Sequence, residues 1–354
     1  MRALYMAVLA CALAAVARAE TAPACAKDVP DRTLREHAYV PIGGIEQWIT
    51  IDGEDCANPV ILFVHGGPGN PLSPFVDQLY GEWKDSYTIA TWDQRLSGRT
   101  YRRNEPVTEV TEERLAATSL SIGQLVADGI EVAEYLRHRL GKRKIILTGS
   151  SWGSVLGVHM AHERPDLFYA YVGVAQLINA RENLAASYTA TLEEAQGRQD
   201  NAAIETLEEI GPPPWTNPRN FGRMRRIIRK YETENTSPSP KLEIAAEYSS
   251  DADRAAYEAG EEISFIKYVG LKGDGISTQV DLPTLGERFA LPMFFLQGEE
   301  DLLTRSSVTS GYYASLQAPS KNMIVVPLAG HDPNFELIRA HYALLNTLVR
   351  PLAK

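Results

Sequence analysis

Lys144 to Ser154 runs KIILTGSSWGS, and the rest of the chain is arranged about it. An apolar run from Ile145 to Leu147 stops at Gly149. Gly149-Ser150-Ser151-Trp152-Gly153 then fits the G-x-S-x-G elbow, with a helical pattern from Trp152 to His162 behind it. In a tight turn from strand to helix, a Cβ two residues to either side of the serine would collide with neighbouring backbone, which accounts for both glycines. Ser151 is therefore the candidate nucleophile. The unpaired N–H groups at the start of the following helix point at whatever it attacks.

Upstream, strand-like segments fall at Ala38 to Ile42, Glu46 to Ile51 and Val60 to Val64, with Gly43-Gly44 and Asp52-Gly53 as turns. A helix around Pro74 to Lys84, a strand Tyr87 to Trp92 and a long amphipathic helix Ser121 to Leu140 lead into the elbow, and a strand Tyr169 to Val174 follows it. Alternation at this spacing predicts parallel βαβ units in a mostly parallel sheet with helices on both faces. After Ala175 the alternation breaks into helical and irregular sequence. It resumes with a strand at Pro292 to Gln297, a helix near Val308 to Leu316, a strand Asn322 to Pro327 and a final helix Asn334 to Leu352. The expected organisation is an arm at 20–37, a core at 38–177, a helical cap inserted at 178–286, and the second part of the core at 287–354.

A serine hydroxyl needs a base to take its proton and an acid to orient that base. Behind an elbow of this type both follow along the chain, each just after a late strand. Gln297-Gly298-Glu299-Glu300-Asp301 and Leu328-Ala329-Gly330-His331 occupy those places. His331 is the expected general base. Of the seven histidines, His341 falls inside the last helix, His159 and His162 on the elbow helix, and His37 and His138 away from strand ends. Asp301 is the preferred acid because the G-x-x-D spacing carries it over the strand end, with Glu299 and Glu300 as alternatives. The tetrahedral oxyanion needs backbone donors. Trp152 can supply one, and Gly67, in His65-Gly66-Gly67-Pro68-Gly69 after the strand Val60 to Val64, the other. His65 reads as a brace for that loop.

His65-Gly66-Gly67-Pro68-Gly69, Asp93-Gln94-Arg95 and Gly149 to Ser154 together resemble the signature set of the proline iminopeptidase branch of the α/β-hydrolase superfamily. The resemblance covers roughly 38–176 and 287–352. It implies the α/β-hydrolase fold, a triad on Ser151, Asp301 and His331, and an oxyanion hole on Gly67 and Trp152. It also implies removal of an N-terminal residue, preferably proline, from short peptides, with acidic cap residues reading the free amine. Glu205, Glu208, Glu209, Glu232, Glu234, Glu261 and Glu262 are candidates for that task, and none is singled out. One departure is Leu96, where the family usually has glycine after Asp-Gln-Arg. An esterase, amidase or lactonase acting on a small molecule is the alternative, since fold and triad do not fix substrate.

A net charge of -10 argues against nucleic acid as a partner, and the basic run Arg223, Arg225, Arg226, Arg229, Lys230 reads as a solvated helix face. No H-E-x-x-H or C-x-x-C spacing indicates a metal, no phosphate loop indicates a nucleotide, and no cofactor is expected. Arg2, the apolar Ala3 to Val16 and Ala17-Arg18-Ala19 form a secretory signal over 1–19, too short to span a membrane. A periplasmic or extracellular protein beginning near Glu20 is expected. Of the three cysteines, Cys11 lies within the signal. Cys25 and Cys56 remain, and an oxidising compartment favours a disulfide between them.

Overall fold

The computed structural model describes residues 32–105 and 109–353. Its centre is an eight-stranded sheet in the order β1-β2-β4-β3-β5-β6-β7-β8. The strands are β1 Leu34–Ile42, β2 Ile45–Gly53, β3 Val60–Val64, β4 Thr88–Trp92, β5 Ile145–Ser150, β6 Phe168–Val174, β7 Met293–Gly298 and β8 Lys321–Val326. β1, β2 and β4 pair antiparallel, and every pairing from β4 across to β8 is parallel.

The central strands read as continuous apolar runs because both faces are covered. Leu62 and Val64 of β3, with Ile145 and Leu147 of β5, enter one core, while Ile61, Phe63 and Ile146 enter the other. The helices are α1 Val76–Tyr80, α2 Gly98–Asn104, α3 Glu112–Ala117, α4 Ile122–Leu140, α5 Trp152–Glu163, α6 Ala180–Gly197, α7 Asn201–Ile210, α8 Arg219–Asn235, α9 Asp251–Val269, α10 Ser306–Ser315 and α11 Phe335–Leu344. α4, α5 and α10 cover the first face, and α1 and α11 the second. Buried along most of its length beside α4 and against β3, β5 and β6, α5 holds the elbow at the middle of the sheet.

From β6 to β7 the chain forms α6 to α9. Tyr188 of α6, Leu207 of α7 and Ile228 and Tyr231 of α8 share a small core that also takes Leu302 from the loop after β7. α9 packs Ala256, Ala259 and Ile263 against Leu96, Tyr101 and Leu115. The two ends of this excursion meet: Ala180 N donates to Val280 O at 3.1 Å and Leu282 N to Ile178 O at 3.0 Å, flanking a bridge between Asn179 and Asp281.

Several elements differ from expectation. β1 begins at Leu34, inside the expected arm; its polar residues pair with β2 through the backbone, so the outer strand carries little apolar signal. The helix expected at Pro74 to Lys84 divides into α1 and a 3-10 turn, Gly81–Asp85, and the last helix widens after Leu344 into a π turn and then tightens into a 3-10 turn. α2 and α3 are additional, being short helices set by tertiary contacts. Cys56 is buried and disulfide-bonded; Cys25, the segment 1–19 and the first part of the arm lie outside the described residues. No helix among the described residues is long and apolar enough to cross a membrane.

Candidate active site

The three side chains chosen from the sequence meet at the C-terminal ends of β5, β7 and β8. Ser151 Oγ lies 3.0 Å from His331 Nε2, and His331 Nδ1 lies 3.1 and 3.3 Å from the two oxygens of Asp301. Neither Glu299 nor Glu300 takes that place: Glu300 accepts instead from the Asn235 amide at 3.2 Å. Burial by itself would lower the His331 pKa, but the charge of Asp301 and its hydrogen bond hold it above the ordinary value. Burial opposes ionisation of Asp301, and His331 together with the donors from Thr304 nonetheless keep its pKa below the ordinary value. The imidazole is thus prepared to carry a proton beside a fixed negative charge.

Backbone geometry delivers the serine. Ser151 sits at φ 52°, ψ -121°, a sparsely populated conformation for a non-glycine residue. Its N–H donates to Val174 O of β6 at 3.0 Å, which anchors the turn to the neighbouring strand. A Cβ at Gly149 would lie 2.4 Å from Gly153 O, and one at Gly153 would lie 2.1 Å from Val64 O. Both contacts are to backbone that cannot yield cheaply. Gly153→Ala is therefore expected to lower unfolding stability by ~3 kcal/mol or more, read from the urea midpoint; an unchanged midpoint would refute the steric account.

The loop after β3 is held by hydrogen bonds through His65 and Gln94. The buried His65 ring donates from Nδ1 to Gly66 O at 2.8 Å and accepts the Gln94 N–H on Nε2 at 3.2 Å, while the Gln94 amide donates to His65 O at 2.8 Å. Desolvation pushes the His65 pKa down to about 4, so the ring is neutral and suits this donor–acceptor role. A Cβ at Gly66 would lie 3.2 Å from Ser151 Cβ, so the loop runs directly against the elbow. Gly69 has φ 91°, and a Cβ there would meet the α9 backbone at 2.9 Å, so this glycine lets the loop pass under the helix.

Asp93, Gln94 and Arg95 bond to the loops around them. Asp93 accepts from Ser73 Oγ at 2.6 Å and Arg99 N at 2.9 Å; burial pushes its pKa up to about 7, with those donors opposing. Arg95 pairs with the buried Asp128 of α4 and donates to Gly43 O, tying the β1–β2 turn to the core. Leu96, the departure from the family pattern, adopts φ 60° and is buried against α9, and its carbonyl accepts from Ser264 at 3.0 Å. Its side chain gives α9 an apolar contact that glycine lacks, at the expense of a left-handed backbone.

Gly67, Ser151 and Trp152 line a cavity of about 880 Å³ between the sheet and the helices of 178–286. This lies in the range of small-ligand sites. Trp152, Trp215, Phe221 and Tyr268 supply aromatic wall, and Asp281 and Arg181 are the charged residues lining it. A smaller cavity of about 310 Å³ also touches Gly67 and is lined by Glu258, Glu261 and Glu262 of α9. Of the other acids weighed for amine recognition, Glu209 pairs with Arg223 and Glu234 with Arg198. Among the described residues, no cluster of three His, Cys, Asp or Glu side chains could hold a metal ion.

Near Ser151, His331 and Asp301 lie Thr304, which the sequence did not single out, and Glu232, which it offered only as one of seven candidates for amine recognition. Thr304 donates its hydroxyl to Asp301 Oδ2 at 2.5 Å and its N–H to Oδ1 at 2.7 Å, fixing the carboxylate in a local turn; the Asp-x-x-Thr spacing was the available signal. Glu232 on α8 accepts from Leu302 N at 2.9 Å and lies 3.4 Å from His331 N. Arg225, read from the sequence as part of a solvated face, turns inward instead: it is part-buried and reaches Glu232 at 3.5 Å and Asp332 at 3.1 Å.

A family profile described as the alpha/beta hydrolase fold matches residues 59–336. The chain is 27% identical over 302 residues to the probable aminopeptidase YbaC of Bacillus subtilis, covering 83% of this chain and 90% of that protein. It is 26% identical over 317 residues to a proline iminopeptidase of Neisseria meningitidis, covering 83% and 89%. Among solved structures, a proline iminopeptidase of Mycobacterium smegmatis superposes with a TM-score of 0.62 at 14% identity, covering 90% of this chain and 99% of that one. At that identity the likeness concerns the fold alone.

Proposed function

Because the chain belongs to the α/β-hydrolase fold family, with curated relatives on its proline iminopeptidase-like branch, we propose that it is an exported serine aminopeptidase releasing an N-terminal residue, preferably proline, from short peptides. The observation that carries the reading is the hydrogen-bonded chain from Ser151 through His331 to Asp301, opening on an enclosed cavity.

In this reading His331 Nε2 takes the Ser151 proton as Oγ attacks the carbonyl carbon of the first residue. Asp301 stabilises the resulting imidazolium. The oxyanion is received by the N–H groups of Gly67 and Trp152. Collapse breaks the peptide C–N bond, and His331 returns its proton to the departing amine. A water molecule then gives a proton to His331 as it attacks the acyl carbon, the ester C–O bond to Ser151 breaks, and His331 passes that proton to Ser151 Oγ as the amino acid leaves. The carboxylates within reach of a free amine are Asp281 in the main cavity and Glu258, Glu261 and Glu262 in the smaller one. Export is supported by the pattern of residues 1–19 and by the disulfide at Cys56.

A second reading, an esterase or amidase for a small apolar acyl group, is favoured by the aromatic wall and single carboxylate of the main cavity. Hydrolysis of Pro-aminomethylcoumarin, its N-acetyl form and p-nitrophenyl acetate separates the two. The aminopeptidase reading expects the free-amine substrate to be cleaved and the acetylated one to be refused. Turnover of the ester with neither proline compound would hand the site to the second reading.

A further inference from the structure

The backbone bearing the acid and the backbone bearing the base come from different strands, and one cap side chain holds both. Glu232 Oε1 accepts the N–H of Leu302, next to Asp301, and Oε2 faces the N–H of His331 itself. Gly330 permits this approach, since a Cβ there would lie 3.2 Å from the Glu232 carboxyl. Arg225, on the same helix, binds both oxygens of Asp332 at 3.1 Å and so grips the residue after the base. Leu302 completes the contact by packing with Ile228 and Tyr231 of α8. Glu232 is buried and is not among the residues lining either cavity, so its oxygens are committed to the loops rather than offered to substrate.

We propose that Glu232 is a positioning residue for the proton-transfer pair, locking the Asp301 and His331 loops in register from the cap so that seating of α8 and alignment of His331 are one event. The proposal rests on Ser151, His331 and Asp301 being the hydrolytic centre, and it is independent of whether peptide or ester is the substrate. A carboxylate accepting two N–H groups makes charge-assisted bonds about twice as strong as neutral ones. A glutamine there would turn an NH₂ toward one of those donors or toward Arg225.

The charges around Glu232 set the direction of the pH response. Asp301 and His331 face it from the core loops, Arg225 from its own helix, and Asp332 lies beyond Arg225; Arg305 donates to Asp301 O at 2.8 Å, and Glu300 meets Asn235 at the end of α8. Burial first, then Asp301, push the Glu232 pKa up to about 7, with His331 and Arg225 opposing. The Glu232 charge favours the imidazolium of His331, and that of Arg225 disfavours it. Activity needs neutral His331, so it falls as pH drops through the His331 pKa. Removing Glu232 must move that acid limb to lower pH, and removing Arg225 must move it to higher pH.

The test uses the full chain with p-nitrophenyl acetate, which has no amine. Glu232→Gln is expected to lower kcat by about 10- to 100-fold, with KM held within about twofold and the acid limb displaced downward. Arg225→Gln is expected to displace it upward. Unchanged ester kinetics would overturn the proposal. So would a defect confined to the KM for Pro-aminomethylcoumarin, which would make Glu232 an amine ligand, or a fall in kcat with the limb unmoved, which would leave a passive packing role. Should Glu232→Gln fail to fold, Glu232→Asp decides: the shorter carboxylate keeps the charge but cannot reach both N–H groups, so kcat must fall with KM held, and an unchanged kcat would overturn the proposal. A parent protein inert toward both substrates would strike the hydrolase reading underneath.

Discussion

Ser151→Ala is expected to lower kcat by ~10⁵-fold or more on ester and free-amine substrates alike, with little change in thermal midpoint. The substitution deletes one oxygen, whose described hydrogen bond is to His331 Nε2, so no part of the sheet or cap depends on it. Alanine can occupy the same φ 52° as readily as serine, and the anchoring bond from Ser151 N to Val174 O is a backbone bond that remains. The loss therefore belongs to chemistry. The measurement is a burst and steady-state assay on the purified variant beside its melting curve. Retention of more than about a hundredth of the parent rate on either substrate would place the nucleophile elsewhere.

Asp301→Asn should cost about 10⁴-fold in kcat and should also weaken the fold. The two oxygens of Asp301 receive N–H groups from Leu303 and Thr304, the Thr304 hydroxyl and His331 Nδ1. An amide can accept at only one of its two atoms. The other must face a donor, which turns the imidazole toward the wrong tautomer and leaves a buried clash on the order of 3 kcal/mol. The sign of the pH effect follows from the depressed pKa of this carboxyl. Its stabilisation is fully present above the ordinary carboxylate range and is lost as pH falls through the folded-state value. Glu300→Gln is the informative control, because Glu300 bonds to Asn235 instead of His331. An equal loss from that control would show that the acid had been misassigned.

What could be read from the sequence was whatever is encoded locally. The β5–α5 elbow combines an apolar strand, two glycines and a helix in consecutive residues, and His331 and Asp301 sit at strand ends that period and turn residues mark. The residues that escaped assignment depend on distant backbone. Glu232 resembles any charge on an amphipathic helix until the N–H groups of Leu302 and His331, 70 and 99 residues away, are brought to it. α2 is short and rich in arginine, and it forms because Thr100 donates to Asp93 O and Arg99 reaches Asp253. The start of β1 was hidden for another reason. A strand paired along one side and wet on its outer face needs no alternation strong enough to stand out from a polar arm.

The stem at Asn179 and Asp281 has a consequence for ancestry. Where two ends of an excursion are pinned side by side, the entropy of closing the loop grows only slowly with what is inserted between them, so the length of the insert is free to vary while its grip on the Asp301 and His331 loops is not. Ala180, Val280, Ile178 and Leu282 make that pin from main-chain groups, which any sequence can supply. A lineage could therefore exchange the intervening helices by recombination at these two points and keep the Ser151 turn, provided the replacement again grips the N–H groups of Leu302 and His331. The same junction is where a protein engineer would graft a foreign lid.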